Sequence, residues 1–264
     1  MKNRPKIVWG IRDSPPDFSY YDRLTKWAVR AESTLSPLSD HIVVNSRAAL
    51  EVWTQSGFPR EKLTYIANGI DTMRFVPNLS ARDVVRSGLG MPMSTVLIGI
   101  VGRIDPKKDH KAFLSCASML LRRFPGAQFL CVGGVPSGME RYAEGLKRFA
   151  VDLNLDKSCH WLGDRSDVPQ LIASLDVLVL SSGFGEGFPN VVAEGMACMI
   201  PCVVTDVGDA ADVVESTGSV VPPGNPAALS EAVACMLALT DSKRLALGVR
   251  SRNRVQDSFS IDRM

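Results

Sequence analysis

The sequence predicts an α/β protein with a doubly wound, Rossmann-like parallel sheet. From residue 95 onward, short apolar runs alternate with amphipathic segments of helical period. The first apolar run, 95–101, is continuous, as in a strand that is covered on both faces. The segment 110–123 repeats its apolar side chains at helical spacing. Repeated units of this length indicate a parallel sheet with helices on both faces.

The elements of this C-terminal unit (95–257) follow one another with short turns between them. The predicted strands are 95–101, 128–132, 158–162, 177–181, 201–205 and 219–221. The predicted helices are 110–123, 140–153, 168–174, 190–198, 227–239 and 241–256, with a further short element at 210–214. Turn residues such as Pro125-Gly126 separate them, because proline and glycine interrupt regular structure.

The first 80 residues form a smaller α/β unit, the N-terminal unit (1–80). Its predicted strands are 7–11, 41–45 and 63–66, and its predicted helices are 20–34 and 47–56. The polar stretch 71–94 lacks strong periodicity and is interpreted as a linker, with residues 81–94 between the units. Residues 258–264 form a short tail.

Composition narrows the classes of function. Of the 264 residues, 45% are hydrophobic and 22% are charged, and the net charge is +2. This balance argues against a dedicated nucleic-acid binder, since no basic stripe with interleaved aromatics is present. The six cysteines lack metal-ligand spacing and are expected to be thiols in a reducing compartment. No run approaches the roughly 18–20 apolar residues that span a bilayer, so a cytoplasmic location is expected.

The most informative stretch is 183–197, which contains two glutamates, Glu186 and Glu194. Its sequence is Gly-Phe-Gly-Glu-Gly-Phe-Pro-Asn-Val-Val-Ala-Glu-Gly-Met-Ala. The glycines let the backbone approach a ligand closely, and Pro189 suits the start of a helix. The amides of Asn190, Val191 and Val192 are then expected to lie free at a helix N-terminus, which binds phosphate well. A phosphate site with two carboxylates suits a nucleotide sugar, although solvated glutamates in a strand-to-helix turn would give the same pattern.

A basic loop follows the first strand of the C-terminal unit. It runs Val101-Gly102-Arg103-Ile104-Asp105-Pro106-Lys107-Lys108. Ligands of open α/β sheets bind at the carboxyl ends of the strands, where both this loop and the glutamate stretch are expected. Arginine and lysine there are suited to a diphosphate, because they neutralise its charge with strong hydrogen bonds. Taken alone, the loop is better explained as a solvated basic turn.

These two motifs resemble those of the retaining glycosyltransferases of the GT-B fold, specifically glycosyltransferase family four. The segment Glu-Gly-Phe-Pro-Asn-Val is similar to the subgroup that builds bacterial surface polysaccharides. The resemblance covers nearly the whole chain and implies a complete donor-binding domain at 95–257 and a partial acceptor-side domain at 1–80. The family's early glycine-rich loop and acceptor-side histidine have no counterpart, so the chain resembles a truncated member.

The resemblance also implies the residues of the site. Arg103 and Lys108 correspond to the diphosphate-binding pair, Glu194 to the residue that binds the ribose, and Glu186 to the residue that binds the donor sugar. Arg103, Lys108 and Glu186 are the expected catalytic residues. The expected donor-binding residues are Gly102, Arg165, Gly187, Phe188, Pro189, Asn190, Val191 and Glu194. Arg165 is expected in a loop against the base, although a helix cap led by Ser166 or Asp167 explains that loop almost as well.

The expected function is retaining, metal-independent transfer of a hexose-type sugar from a nucleotide donor, expected to be a UDP-sugar. The acceptor is expected to be a glycan or a lipid-linked glycan, with the enzyme in the cytoplasm or peripheral at the inner face of the membrane. No Asp-x-Asp pair occurs, which argues against a metal-dependent transferase of the GT-A type. No cofactor is expected besides the nucleotide-sugar substrate.

Two alternatives remain open at this point. The chain could be a non-catalytic nucleotide-sugar-binding half that is completed by a partner chain or by a second copy through the incomplete N-terminal unit. A glycosidase would also use paired carboxylates. That alternative gives Arg103 and Lys108 no role.

Overall fold

A computed structural model describes residues 4–12 and 23–264 of the chain. The described residues form two parallel sheets, one of three strands and one of six. The predicted helix 20–34 begins outside the described residues, and its described part is α1 (Arg23–Leu35). Within these residues, no helix is both long and apolar enough to cross a membrane.

The smaller sheet belongs to the N-terminal unit and has the order β1-β2-β3. Its strands are β1 (Val8–Ile11), β2 (His41–Val44) and β3 (Leu63–Tyr65), and helix α2 (Arg47–Gln55) follows β2. Ile42 and Val44 of β2 are fully buried in one cluster with Trp53 of α2. The ring of Trp53 contacts Phe58 edge to face, with 5.0 Å between the ring centroids. This small core anchors α2 against the sheet.

The larger sheet belongs to the C-terminal unit and has the order β6-β5-β4-β7-β8-β9, with every pair parallel. Its strands are β4 (Leu97–Val101), β5 (Gln128–Val132), β6 (Cys159–Gly163), β7 (Val177–Leu180), β8 (Cys202–Thr205) and β9 (Ser219–Val221). The order of strands reverses between β4 and β7. The predicted doubly wound sheet is therefore confirmed.

Helices cover both faces of this sheet. They are α4 (His110–Leu121), α5 (Glu140–Asp152), α6 (Val168–Ala173), α7 (Asn190–Ala197), α8 (Ala210–Val214), α9 (Pro226–Leu237) and α10 (Asp241–Ser258). Ile98 and Val179 belong to one core with Phe113 of α4. Leu178 belongs to the opposite core with Met196 of α7. Successive residues of a strand face opposite cores, so the residues on both faces must be apolar. This explains the continuous apolar runs in the sequence.

The stretch 71–94, interpreted from the sequence as a polar linker, contains a helix, α3 (Leu79–Gly88). The side chain of Asn78 caps it by accepting a hydrogen bond from the amide of Ala81 at 2.9 Å. The sequence did not predict this helix, because the residues that it buries are Ala81 and Arg86. A buried arginine leaves no apolar stripe for a periodicity argument to detect.

Arg86 joins α3 to the C-terminal unit through Asp176. The guanidinium is fully buried and donates to Asp176 Oδ2 at 2.9 Å and to the carbonyl of Ser174 at 2.6 Å. Asp176 also accepts from Arg82 at 2.7 Å and from the amide of Leu97 at 2.8 Å. One carboxylate therefore holds α3, the start of β4 and the end of the loop before β7 in place.

The end of the chain contacts the segment that follows β3. Arg252 of α10 donates to the carbonyls of Thr72 at 3.0 Å and Phe75 at 2.9 Å. The amide of Ile70 donates to the carbonyl of Phe259 at 2.7 Å. These hydrogen bonds fix the orientation of the N-terminal unit on the C-terminal unit.

We predict that Asp176→Ala lowers the free energy of unfolding by about 3–5 kcal/mol, because it leaves the buried Arg86 without its counter-charge. Urea denaturation measures the change. Arg123→Ala is the matched control. It breaks the ion pair with Glu231, in which the two side chains are 50% and 65% exposed, and should cost less than about 1 kcal/mol. Equal losses in the two variants would contradict the role given to Asp176.

Candidate active site

A cleft of about 500 Å³ lies at the carboxyl edge of the larger sheet, facing the N-terminal unit. Its lining includes the loop after β4 and the loop between β7 and α7. These two strands flank the point where the strand order reverses, which is where open α/β sheets bind their ligands. The cleft therefore occupies the position that the topology favours.

The structure brings nearly all of the predicted site residues into this cleft. Its lining includes Gly102, Arg103, Lys108, Glu186, Gly187, Phe188, Pro189, Asn190, Val191 and Glu194. They come from two loops and one helix N-terminus, far apart in sequence. The folding of the parallel sheet is what places them together.

Lys108 and Glu186 form an ion pair in the centre of the cleft. The Nζ atom of Lys108 lies 2.6 Å from Glu186 Oε1, and the side chains are 23% and 9% exposed. Ser182 Oγ donates to the same carboxylate oxygen at 2.5 Å. The loop is fixed behind the pair by Gly208, because a Cβ there would come within 2.2 Å of the Glu186 carbonyl oxygen. Glu186 is thus a rigidly held carboxylate whose charge is balanced by Lys108.

Arg103 lies at the exposed side of the cleft. Within the described residues its guanidinium makes no hydrogen bond or ion pair, so its donors are available to an anionic ligand. The backbone beneath it is tightly packed, since a Cβ on Gly133 would come within 2.0 Å of the carbonyl oxygen of Gly102. Arg103 is therefore an exposed cation on a closely packed backbone.

Helix α7 begins at Asn190, with Pro189 at its N-cap position. The amide of Val192 donates to the carbonyl of Pro189 at 3.0 Å. The prediction that Val192 offers a free amide is therefore wrong, because a tight first turn uses that amide internally. Within the described residues, the backbone amides of Asn190 and Val191 donate no hydrogen bond. Both residues line the cleft.

Glu194 lies about one turn into α7 and is partly buried. Burial raises the pKa of this carboxyl, and the positive charge of Arg74 opposes the shift. A partly buried carboxylate can accept two hydrogen bonds at once, so this residue is suited to a diol.

Arg165 is the predicted site residue that the structure does not bring into the cleft. Its guanidinium is 45% exposed and binds Asp167 through two hydrogen bonds of 2.8 and 2.7 Å. These bonds, with the Coulombic attraction of Asp167, raise the pKa of Arg165. In this structure the side chain stabilises the turn that leads into α6.

Three lining residues come from the N-terminal unit and were not predicted. Arg12 directly follows β1, Asn45 directly follows β2, and Asn68 follows β3. The rule that ligands gather at the carboxyl ends of parallel strands applies to this sheet too, and would have found them. Asn68 Nδ2 donates to Asn190 Oδ1 at 2.8 Å, across the cleft.

Asp209 of the C-terminal unit binds the N-terminus of α2. Its carboxylate accepts from the amide of Arg47 at 2.7 Å and from that of Ala48 at 3.0 Å. Burial raises the pKa of this carboxyl, while the two amide hydrogen bonds lower it. The amide of Asp209 in turn donates to the carbonyl of Gly187 at 3.1 Å. One residue therefore connects the loop between β7 and α7 (residues 181–189, the glutamate loop) to the first turn of α2.

A second, larger cavity of about 690 Å³ lies beside Tyr65, Asp209 and Arg254. Its lining contains none of the predicted donor-binding residues. We assign the chemistry to the smaller cleft, because its lining includes Arg103, Lys108, Glu186 and Glu194. Among the described residues, no cluster of His, Cys, Asp or Glu could hold a metal ion.

Family models match both units of the chain. Residues 95–238 match the model described as "Glycosyl transferases group 1". The chain belongs to the glycosyl transferases group 1 family. Residues 2–74 also match the model described as "Glycosyltransferase Family 4". These matches confirm the expectation that the chain is related to the family-four glycosyltransferases.

Curated relatives of this group 1 transferase have similar sequences over most of the chain. It is 27% identical over 206 residues to a UDP-Gal:alpha-D-GlcNAc-diphosphoundecaprenol alpha-1,3-galactosyltransferase of Escherichia coli, covering 76% of this chain and 51% of the relative. It is 30% identical over 234 residues to a GDP-mannose-dependent alpha-(1-6)-phosphatidylinositol monomannoside mannosyltransferase of Mycolicibacterium smegmatis, covering 84% and 59%. The chain spans about half the length of the curated relatives it matches.

Solved structures confirm the fold. The crystal structure of Anabaena Alr3699/HepE in complex with UDP and glucose superposes with a TM-score of 0.87 at 22% identity, over 97% of this chain and 68% of that chain. Sucrose-phosphate synthase from Thermosynechococcus elongatus superposes with a TM-score of 0.79 at 23% identity, over 99% and 65%. The group 1 transferase therefore has a GT-B-like α/β fold with the N-terminal domain partly present.

Proposed function

We propose that this protein is a retaining glycosyltransferase that moves a hexose-type sugar from a UDP-sugar to a hydroxyl of a glycan or a lipid-linked glycan. One observation carries the proposal: Arg103, Lys108, Glu186 and Glu194 share one cleft at the reversal point of the larger sheet. Together these four side chains suit a ligand with a diphosphate and several hydroxyl groups.

The donor would be bound by three groups of residues. Arg103 and Lys108 would neutralise the diphosphate, helped by the free amides of Asn190 and Val191 at the start of α7. Glu194 would accept hydrogen bonds from the two ribose hydroxyls. Glu186 would bind hydroxyls of the transferred sugar, and Ser182 would keep its carboxylate in place.

In the proposed reaction, the bond between the anomeric carbon and the diphosphate oxygen breaks and its electron pair leaves with the diphosphate. Arg103 and Lys108 stabilise the charge that develops there. The acceptor oxygen forms the new bond on the same face of the sugar, and its proton passes to the departing diphosphate. The cationic side chains supply the electrostatic stabilisation, so we propose no metal and no cofactor besides the nucleotide sugar.

The names of similar proteins support this choice of substrates. The E. coli relative is named for a UDP-sugar donor and a diphosphoundecaprenol-linked acceptor. The Anabaena structure contains UDP and glucose. With an acceptor of this kind, we propose that the transfer takes place in the cytoplasm, at the inner face of the membrane.

A second candidate function is nucleotide-sugar binding that requires a partner chain or a second copy for catalysis. It is favoured by the three-stranded sheet of the N-terminal unit, in which the described strands β1 and β3 each have one unpaired edge. Release of UDP from UDP-glucose or UDP-galactose by the purified chain, with undecaprenyl-diphosphate-linked acceptors, distinguishes the two. Turnover favours the transferase, whereas binding without turnover favours the second candidate.

We predict that Lys108→Ala weakens the binding of UDP by about tenfold to 100-fold, since a charged hydrogen bond is worth about 1.5–3 kcal/mol. Uridine, which lacks the phosphates, should bind the variant almost as well as the wild type. Isothermal titration calorimetry measures both affinities. Lys111→Ala is the matched control, because Lys111 is an exposed lysine of α4 outside the cleft lining. Equal losses for UDP and uridine would mean that Lys108 acts through the fold.

We predict that the affinity for UDP-glucose falls as the pH is lowered through the pKa of Glu194. Burial raises the pKa of this carboxyl, so it is protonated at a higher pH than an ordinary glutamate. The protonated group accepts fewer hydrogen bonds from the ribose, while above the raised pKa the affinity is constant. UDP-glucose is the suitable probe, because its phosphates do not titrate in this range.

The control for this pH dependence is Glu194→Gln, which keeps the shape and cannot titrate. We expect it to bind UDP-glucose more weakly than the wild type at neutral pH and with less dependence on pH. A variant with the same pH profile as the wild type would show that another group titrates.

A further inference from the structure

Asn45 contains a buried polar atom that has no partner in the part of the chain that the structure describes. The residue is 7% exposed, and its Oδ1 atom is buried and makes no hydrogen bond within the described residues. Buried carbonyl oxygens are nearly always hydrogen-bonded, because an unsatisfied one costs free energy. A hydrogen-bond donor from outside the described residues is therefore expected to complete this site.

The unsatisfied oxygen lies beside the glutamate loop. Asn45 lines the cleft, and a Cβ built on Gly187 would lie 3.1 Å from its Oδ1. Gly187 directly follows Glu186, the carboxylate paired with Lys108. The amide of Asn45 thus extends from the N-terminal unit toward the loop that carries Glu186.

The backbone at Asn45 is held in place. Ser46, the next residue, is the N-cap of α2 and accepts from the amide of Ala49 at 2.9 Å. Asp209 holds the amides of Arg47 and Ala48 from the opposite unit. The backbone that follows Asn45 is therefore fixed, which keeps the residue beside the glutamate loop.

We propose that the side-chain amide of Asn45 binds a hydroxyl group of the sugar that the nucleotide donor carries. Its unpartnered oxygen needs a proton donor, and the ionised diphosphate has none. Its position beside Gly187 places it next to Glu186, to which the proposed function gives the sugar hydroxyls. Asn45 is thus a sugar-binding residue supplied by the N-terminal unit. The inference rests on the proposed function and adds to it a sugar contact from the N-terminal unit.

The test compares UDP with UDP-glucose and UDP-galactose in calorimetric titrations of the full chain. The sugar increment is the ratio of the affinity for the UDP-sugar to that for UDP. For the sugar with the larger increment in the wild type, Asn45→Ala should reduce this ratio by about threefold to tenfold, as expected for one neutral hydrogen bond. The affinity for UDP itself should change by less than about twofold. Asn45→Ser, whose shorter side chain ends farther from the ligand, should reduce the ratio as well.

Thermal unfolding of the free protein separates this role from a structural one. Asn45→Ala removes an unsatisfied oxygen, so the melting temperature should stay the same or rise. The control is Asn78→Ala, which removes the satisfied cap of α3. That variant should have a lower melting temperature and an unchanged sugar increment.

The outcomes distinguish the inference from the proposed function. If the wild type does not bind UDP, the proposed function fails and the inference fails with it. If UDP binds, but the wild type has no sugar increment or Asn45→Ala leaves that increment unchanged, only the inference is overturned. Equal weakening of UDP and UDP-sugar overturns it too, since Asn45 would then act on the whole cleft.

Discussion

The contact between Asp209 and the first turn of α2 is the constraint on which the cleft depends. The cleft has walls from both units, and this carboxylate binds two backbone amides of the N-terminal unit directly. Through its own amide, Asp209 also holds the carbonyl of Gly187 in the glutamate loop. Because a helix N-terminus favours a negative charge, the contact is stabilised by the dipole of α2 as well as by hydrogen bonds. The position of Asn45 opposite Gly187 follows from it.

The Lys108–Glu186 pair is an ion pair that a ligand in the cleft would contact. In the free protein, Glu186 neutralises Lys108 within 2.6 Å, so a buried charge is not left unpaired. A diphosphate brings more negative charge than one carboxylate and is expected to draw the lysine toward it. Glu186 would then bind sugar hydroxyls instead. Arg103 has no partner in the described structure, so it has no ion pair to break before it binds the diphosphate.

Sequence patterns predicted the larger sheet and its helices closely, because strands covered on both faces are continuously apolar and amphipathic helices are periodic. They also identified α7 and the glutamate loop, since glycine and proline fix such a turn. Helix α3 was missed because its buried contact is an ionic one, Arg86 with Asp176. Asn45 could not be assigned a role, because only the tertiary structure shows that its Oδ1 atom is buried and makes no hydrogen bond to the described residues. Arg165 was assigned by resemblance, and a local bond to Asp167 directs it elsewhere.

A crystal structure of the protein with UDP would locate the donor site directly. We expect the diphosphate beside Arg103, Lys108 and the amides of Asn190 and Val191, with the ribose on Glu194. The distance between Lys108 Nζ and Glu186 Oε1 should exceed its value of 2.6 Å in the free protein. UDP in the larger cavity beside Tyr65 and Arg254, or a diphosphate remote from Arg103 and Lys108, would contradict this placement of the donor.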